Sequence, residues 1–183
     1  MCAARVPPDQ RNWRTPRVGD AARAGLVLAA AMWAVAEGPR AALAFALIAP
    51  AVFGMRLLPA GKRLDGVLCT VLVTAQLGAA AGLTESAAWW DAAAHAATAA
   101  LLMAALVAVL PGLSLARAAA GVLALSLAWE AAEWASDALF QTQFAPSTSD
   151  TLSDLAFDLV GAVVGAAVIA AHASTSRRAH RAP

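Results

Sequence analysis

Asp150-Thr-Leu-Ser-Asp154-Leu-Ala-Phe-Asp158-Leu-Val-Gly161 opens the last long apolar run of the chain, which continues to about Ala171. At a helical period its three carboxylates fall at i, i+4 and i+8, on one face. An apolar helix carries such a stripe only for a reason. Two other apolar runs hold matching polar groups: Asp91 with His95, and Glu130 with Glu133. The spacing within each pair again places both members on one helical face.

Composition sets the surroundings of these groups. Hydrophobic residues make up 61% of 183 positions and charged residues 14%, far from a soluble average. Mean hydropathy is +0.66. Net charge is +1, so no global field favours nucleic acid. The size suits one domain. Apart from a polar, arginine-rich segment over 1–20 and a short basic tail over 174–183, apolar sequence fills 21–173. Six runs, near 22–36, 41–59, 66–83, 88–110, 115–136 and 151–172, approach the length of a helix crossing about 30 Å of hydrocarbon. Helices follow because an isolated strand cannot satisfy its backbone in lipid. The first run lacks a small-residue cleavage site and reads as a retained signal-anchor. Pro50 marks a kink or a re-entrant segment in the second. The expected fold is therefore all-α, a polytopic transmembrane bundle of about six helices with both termini cytoplasmic.

Lysine and arginine set the orientation. With the N-terminus inside, twelve of the thirteen basic residues lie on the inner side and only Arg40 on the outer. Trp33, Trp89, Trp90, Trp129 and Trp134 fall near outer helix ends, as an interfacial belt does. The expected location is a bacterial inner membrane, crossed several times. Cys2 and Cys69 have no metal-like or redox-like spacing, and Cys69 reads as a core residue. Glu37, Glu85 and Asp137 read as solvated loop residues, and His172 and His180 as unrelated to the polar faces. Asp150 reads as a helix N-cap, and Thr151 with Asp154 has capping-box spacing. Gly161 and Gly165 form a GxxxG pair suited to close helix packing.

In this topology the three polar faces share one depth. All lie within roughly 12 Å of the outer boundary at 1.5 Å per residue. Charged in lipid, Asp91, Glu130, Glu133, Asp154 and Asp158 would together cost on the order of 10 kcal/mol. No lysine or arginine stands in the outer halves of these runs, and His95 is the single basic candidate. Water, protons or a bound cation must offset the cost. A cation suits the set best, with Asp91, His95, Glu130, Glu133, Asp154 and Asp158 as candidate ligands. Oxygen donors favour Mg, Mn or Ca, and one imidazole admits Zn or Fe. Glu130, Glu133 and Asp154 are the candidate catalytic carboxylates.

The same residues carry a resemblance. Asp91-x-x-x-His95, Trp129-Glu130-Ala-Ala-Glu133-Trp134 and Asp150-x-x-x-Asp154 with Gly161-Ala162 resemble the YjdF-like family of small bacterial inner-membrane proteins. The pattern is also similar to the broader VanZ-like group. Glu133 stands where that pattern has Gln, and Asp158 where it has Asn. The basic residue that often precedes the last helix of VanZ-like proteins is missing. The resemblance covers about residues 88–165 and implies a bacterial polytopic membrane protein acting at the cell envelope.

Three functions fit these observations. One is a metal-dependent hydrolase or transferase working on a lipid or envelope precursor from the outer leaflet. Another is a cation- or proton-coupled carrier. The third is an assembly partner in which the polar cluster fixes helix packing.

Overall fold

A computed structural model describes residues 17–59, 61–87, 89–145 and 147–179. Among them it contains α1 (Val18–Ala36), α2 (Leu43–Gly54), α3 (Lys62–Ala80), the single turn α4 (Leu83–Ser86), α5 (Trp89–Val109), α6 (Leu115–Phe140) and α7 (Thr148–Ala179). There is no strand among the described residues. Five helices are long and apolar enough to cross a membrane, and α2 is a shorter apolar helix.

The second run was expected to be helical over 41–59, but only twelve residues form α2. Turns take up the flanks on either side of Pro50's helix. The chain nevertheless returns along α1. Trp33 near the end of α1 stacks on Phe45 near the start of α2, with ring centroids 5.6 Å apart. Arg23 near the start of α1 donates from Nε to the Val52 carbonyl near the end of α2, at 3.0 Å. The last carbonyls of a helix lack intrahelical partners, and Arg23 takes this one. So α2 runs antiparallel to α1 and delivers α3 to the end where α1 began.

That end is pinned by charge. The helix α1 starts at Val18, inside the segment expected to be a polar tail; residues 1–16 lie outside the described residues. The reason is local. The Arg17 backbone N–H donates to Asp20 Oδ2 at 2.8 Å, satisfying an orphan first-turn donor. Arg23 is buried and donates from Nη2 to the fully buried Asp65 at 2.5 Å. Asp20 meets Arg23 at 3.1 Å and Arg56 at 3.4 Å. Gly19 allows this approach, because a Cβ there would lie 2.7 Å from Asp65 Oδ2. The pair was not anticipated from sequence.

Two apolar cores result. Leu26, Phe45, Ile48, Val52, Leu68, Cys69 and Val73 join α1, α2 and α3. Ala99, Met103, Ala118, Val122 and Ala162 join α5, α6 and α7. The buried Cys69 agrees with its expected role. The halves meet where Trp90 of α5 packs over Gly78 of α3, whose missing side chain makes the room.

The most intimate contact is between α5 and α7, which run parallel. A Cβ on Gly161 would lie 2.1 Å from the Ala96 carbonyl oxygen, and one on Gly165 would lie 2.8 Å from that of Ala100. The GxxxG pair thus sets two backbones in contact.

Candidate functional site

The candidate site sits one turn above that glycine seam. Because the seam fixes α5 and α7 in parallel register, His95 of α5 faces Asp154 and Asp158 of α7. His95 Nδ1 is 3.3 Å from Asp158 Oδ1. Its other nitrogen, Nε2, stands 3.9 Å from Asp154 Oδ1 and 4.0 Å from Asp91 Oδ1. A carboxylate on Nδ1 orients the imidazole and aims Nε2 at the other two carboxylates. Asp154 and Asp158 are buried, whereas Asp91 is partly open. The site therefore opens at the helix ends and closes inward.

Glu130 and Glu133 reach this level from α6. Gly121 of α6 packs on Leu106 of α5 in antiparallel sense. Equal rise along both helices brings residues near 130–133 opposite His95. Glu130 is 3% exposed. No hydrogen bond reaches either of its carboxylate oxygens, and both are buried. The Thr151 hydroxyl interacts with Glu130 but falls outside hydrogen-bond geometry. That hydroxyl accepts from Trp134 Nε1 at 2.9 Å. Glu133 is half-buried beside Glu130 and interacts with His95, Asp154 and Asp91.

Of the six expected ligands, Asp91, His95 and Asp154 come together, with donor atoms all within 4.8 Å of one another. Asp158 stands behind His95 rather than beside Nε2. Glu130 and Glu133 flank this group from α6 and lie outside that tight set. An ion bound at about 2.1 Å to each donor holds donors about 3.0–3.4 Å apart. From the 3.9 and 4.0 Å to Nε2 and a widest separation within 4.8 Å, the side chains need to close by about 0.5–1.5 Å to meet that distance.

Other expectations are corrected. Asp150 is not the N-cap of α7. Ser147 is, accepting from the Asp150 backbone N–H at 3.2 Å, so the Thr151–Asp154 pair forms no capping box. Asp150 instead lies in the first turn, at the rim. Asp137 is no solvated loop residue: it accepts from the Thr142 hydroxyl and from the backbone N–H groups of Phe144 and Ala145, holding the α6–α7 connection. His172 is exposed, far along α7, and His180 lies outside the described residues. Sequence reading missed Thr151 and Trp134 as neighbours of the site, though Trp134 next to Glu133 was a visible signal.

Charge divides the molecule. Among the described residues, all acidic residues except Asp20 and Asp65 lie at the end that carries the site, where Arg40 is the single lysine or arginine. Arg17, Arg23, Arg56, Lys62, Arg63 and Arg117 lie at the opposite end. A helical bundle with apolar outer faces, basic residues at one end and a buried acidic centre near the other is a polytopic integral membrane protein. The chain belongs to the family described as predicted membrane protein (DUF2238), whose profile matches residues 22–175. No curated protein and no solved structure matches it.

Proposed function

We propose that this protein is a membrane-embedded hydrolase or group transferase that uses a divalent cation and acts on a lipid or cell-envelope precursor. The carrying observation is the setting of His95, with Asp158 on Nδ1 and Asp91 and Asp154 before Nε2. Asp91, His95 and Asp154 would hold the ion, and Asp158 would fix the tautomer that leaves Nε2 free to ligate. A bound divalent ion supplies polarisation of a phosphoryl or acyl oxygen and lowers the pKa of water. Glu130 and Glu133 stand ready to take a proton from that water. With the basic end cytoplasmic, the site faces the outer leaflet, consistent with the YjdF-like resemblance and a bacterial inner membrane.

A carrier is the runner-up. It needs polar groups continuing inward, and below Asp158 the described packing of α5, α6 and α7 is alanine, glycine, methionine, valine, leucine and isoleucine, with Ser126 as the buried exception. A purely structural cluster is disfavoured by Glu130, whose buried carboxylate accepts no hydrogen bond from the described residues.

The test is metal content of the detergent-purified protein by elemental mass spectrometry, beside an Asp154→Asn/His95→Ala variant. Stoichiometric metal in the parent and none in the folded variant is expected. Hydrolysis of outer-leaflet lipids and envelope precursors is then assayed with the metal-loaded protein. Absence of metal from both proteins after reconstitution with Mn, Zn and Mg would overturn the metal-centred reading.

A further inference from the structure

At the basic end, on the surface formed by α1 and α3, lies an open furrow of about 390 Å³ lined by Val18, Arg63, Gly66, Val67, Thr70 and Val71. It exists because of Gly66. A Cβ there would lie 2.9 Å from Val18 Cβ, so glycine keeps α1 and α3 close and leaves a trough between them. The trough is apolar throughout its depth. The hydroxyl of Thr70, its polar exception, donates to the Gly66 carbonyl of its own helix at 2.8 Å. Arg63 stands at its rim.

Arg63 differs from the arginines packed around Asp20 and Asp65. Arg17, Arg23 and Arg56 all engage Asp20 or Asp65. Arg63 has no acidic partner among the described residues and is exposed. From Arg63 to Val71 the lining residues follow one face of α3 for about 12 Å at 1.5 Å per residue. That face runs from the charged end of the helix along its axis, the direction in which a lipid chain runs from its headgroup.

We propose that this furrow binds an anionic phospholipid of the leaflet at the basic end, its phosphate on Arg63 and an acyl chain along Val67, Thr70 and Val71. Basic side chains near an anionic leaflet attract its lipids, and the arginine guanidinium suits phosphate. The segment 1–16 is the other occupant to weigh. It carries Arg5, Arg11 and Arg14 against one carboxylate, Asp9, so Arg63 repels it and charge favours the lipid.

The test is native mass spectrometry of the full chain, delipidated and titrated separately with phosphatidylglycerol and phosphatidylcholine. The parent is expected to retain phosphatidylglycerol about fivefold better, the effect of one basic side chain near the surface. Arg63→Gln should reduce that preference to unity. Thr70→Phe fills the trough from its exposed side and should weaken phosphatidylglycerol binding with Arg63 intact. Neither side chain enters the core, so both variants should keep the parent's unfolding temperature. Equal retention of the two lipids by the parent would overturn the assignment. So would a preference that survives both substitutions, or one that disappears only when Arg5, Arg11 and Arg14 are replaced by Gln.

Discussion

Gly161→Ala is the smallest change that should disable the site without touching a polar group. The added Cβ falls 2.1 Å from the Ala96 carbonyl oxygen, where ordinary contact begins at 3.4 Å. The obstacle is backbone, so no side chain can turn aside, and α5 and α7 must part by about 1.3 Å at that level. His95 and Asp158 bridge the same two helices one turn away, at 3.3 Å. Parting by this amount breaks their contact and frees the imidazole to rotate. Overpacking of this kind costs about 1–3 kcal/mol. Alanine returns up to about 1 kcal/mol of helix propensity, so a net loss remains. Gly165→Ala is the internal comparison. Its Cβ falls 2.8 Å from the Ala100 carbonyl oxygen, a shortfall about half as large and one turn further from His95. Met103 Cβ at 2.9 Å adds a second close contact, so a smaller net loss should remain after the propensity gain. Thermal unfolding in detergent, with and without added Mn or Zn, reads both effects. Gly161→Ala should unfold at lower temperature and lose the cation-induced rise, while Gly165→Ala should lose less stability and keep most of that rise. Parental behaviour of Gly161→Ala would refute the claim that the glycine seam holds the site.

Three further outcomes follow from the same geometry. Asp158→Asn should weaken cation binding by about 10–100-fold, as loss of an orienting partner does, read by metal titration of the folded variant. Glu130→Gln removes a buried carboxylate that no donor satisfies. It should raise the unfolding temperature of the metal-free protein while reducing the stabilisation by cations, the usual trade between stability and a poised site. Asp65→Asn should cost about 3–5 kcal/mol by stranding Arg23, with Asp65→Leu/Arg23→Leu recovering much of the loss in a denaturant or thermal unfolding assay.

The bundle was legible because membranes demand long apolar helices and place arginine and tryptophan asymmetrically. Apolar runs gave six of the seven described helices in order, and the single turn α4 between the third and fourth runs was not expected. They did not give the length of α2, since an apolar run cannot say where turns replace helix around Pro50. The gathering of Asp91, His95 and Asp154 was legible from spacing and depth alone. Their division of labour was not, because i and i+4 on one face leave undecided which carboxylate reaches Nδ1 and which approaches Nε2. Asp137 was misread for a related reason. Its acceptors serve backbone groups of Phe144 and Ala145, a local loop geometry with no sequence period. Ser147, rather than Asp150, caps α7 because the helix starts earlier than its apolar run.

The two ends of the molecule provide a contrast that bears on purpose. Both contain buried charge, and only one is balanced. At the basic end, fully buried Asp65 meets Arg23 and Arg17, and Arg23 also satisfies the Val52 carbonyl. Such a pairing of opposite charges is what a charge kept for helix packing requires, because an unpaired ion in the interior is costly. If packing were also the role of the other cluster, the same solution should recur there. Instead five carboxylates surround one imidazole, no lysine or arginine arrives from α5, α6 or α7, and Glu130 is buried without a donor. Lysine and arginine stand at thirteen positions of this chain, and none of them pairs with a carboxylate of this cluster among the described residues. On the proposed reading, a bound cation supplies the missing positive charge. The open rim at Asp91 gives it a way in, and the apolar packing below Asp158 keeps it from passing through.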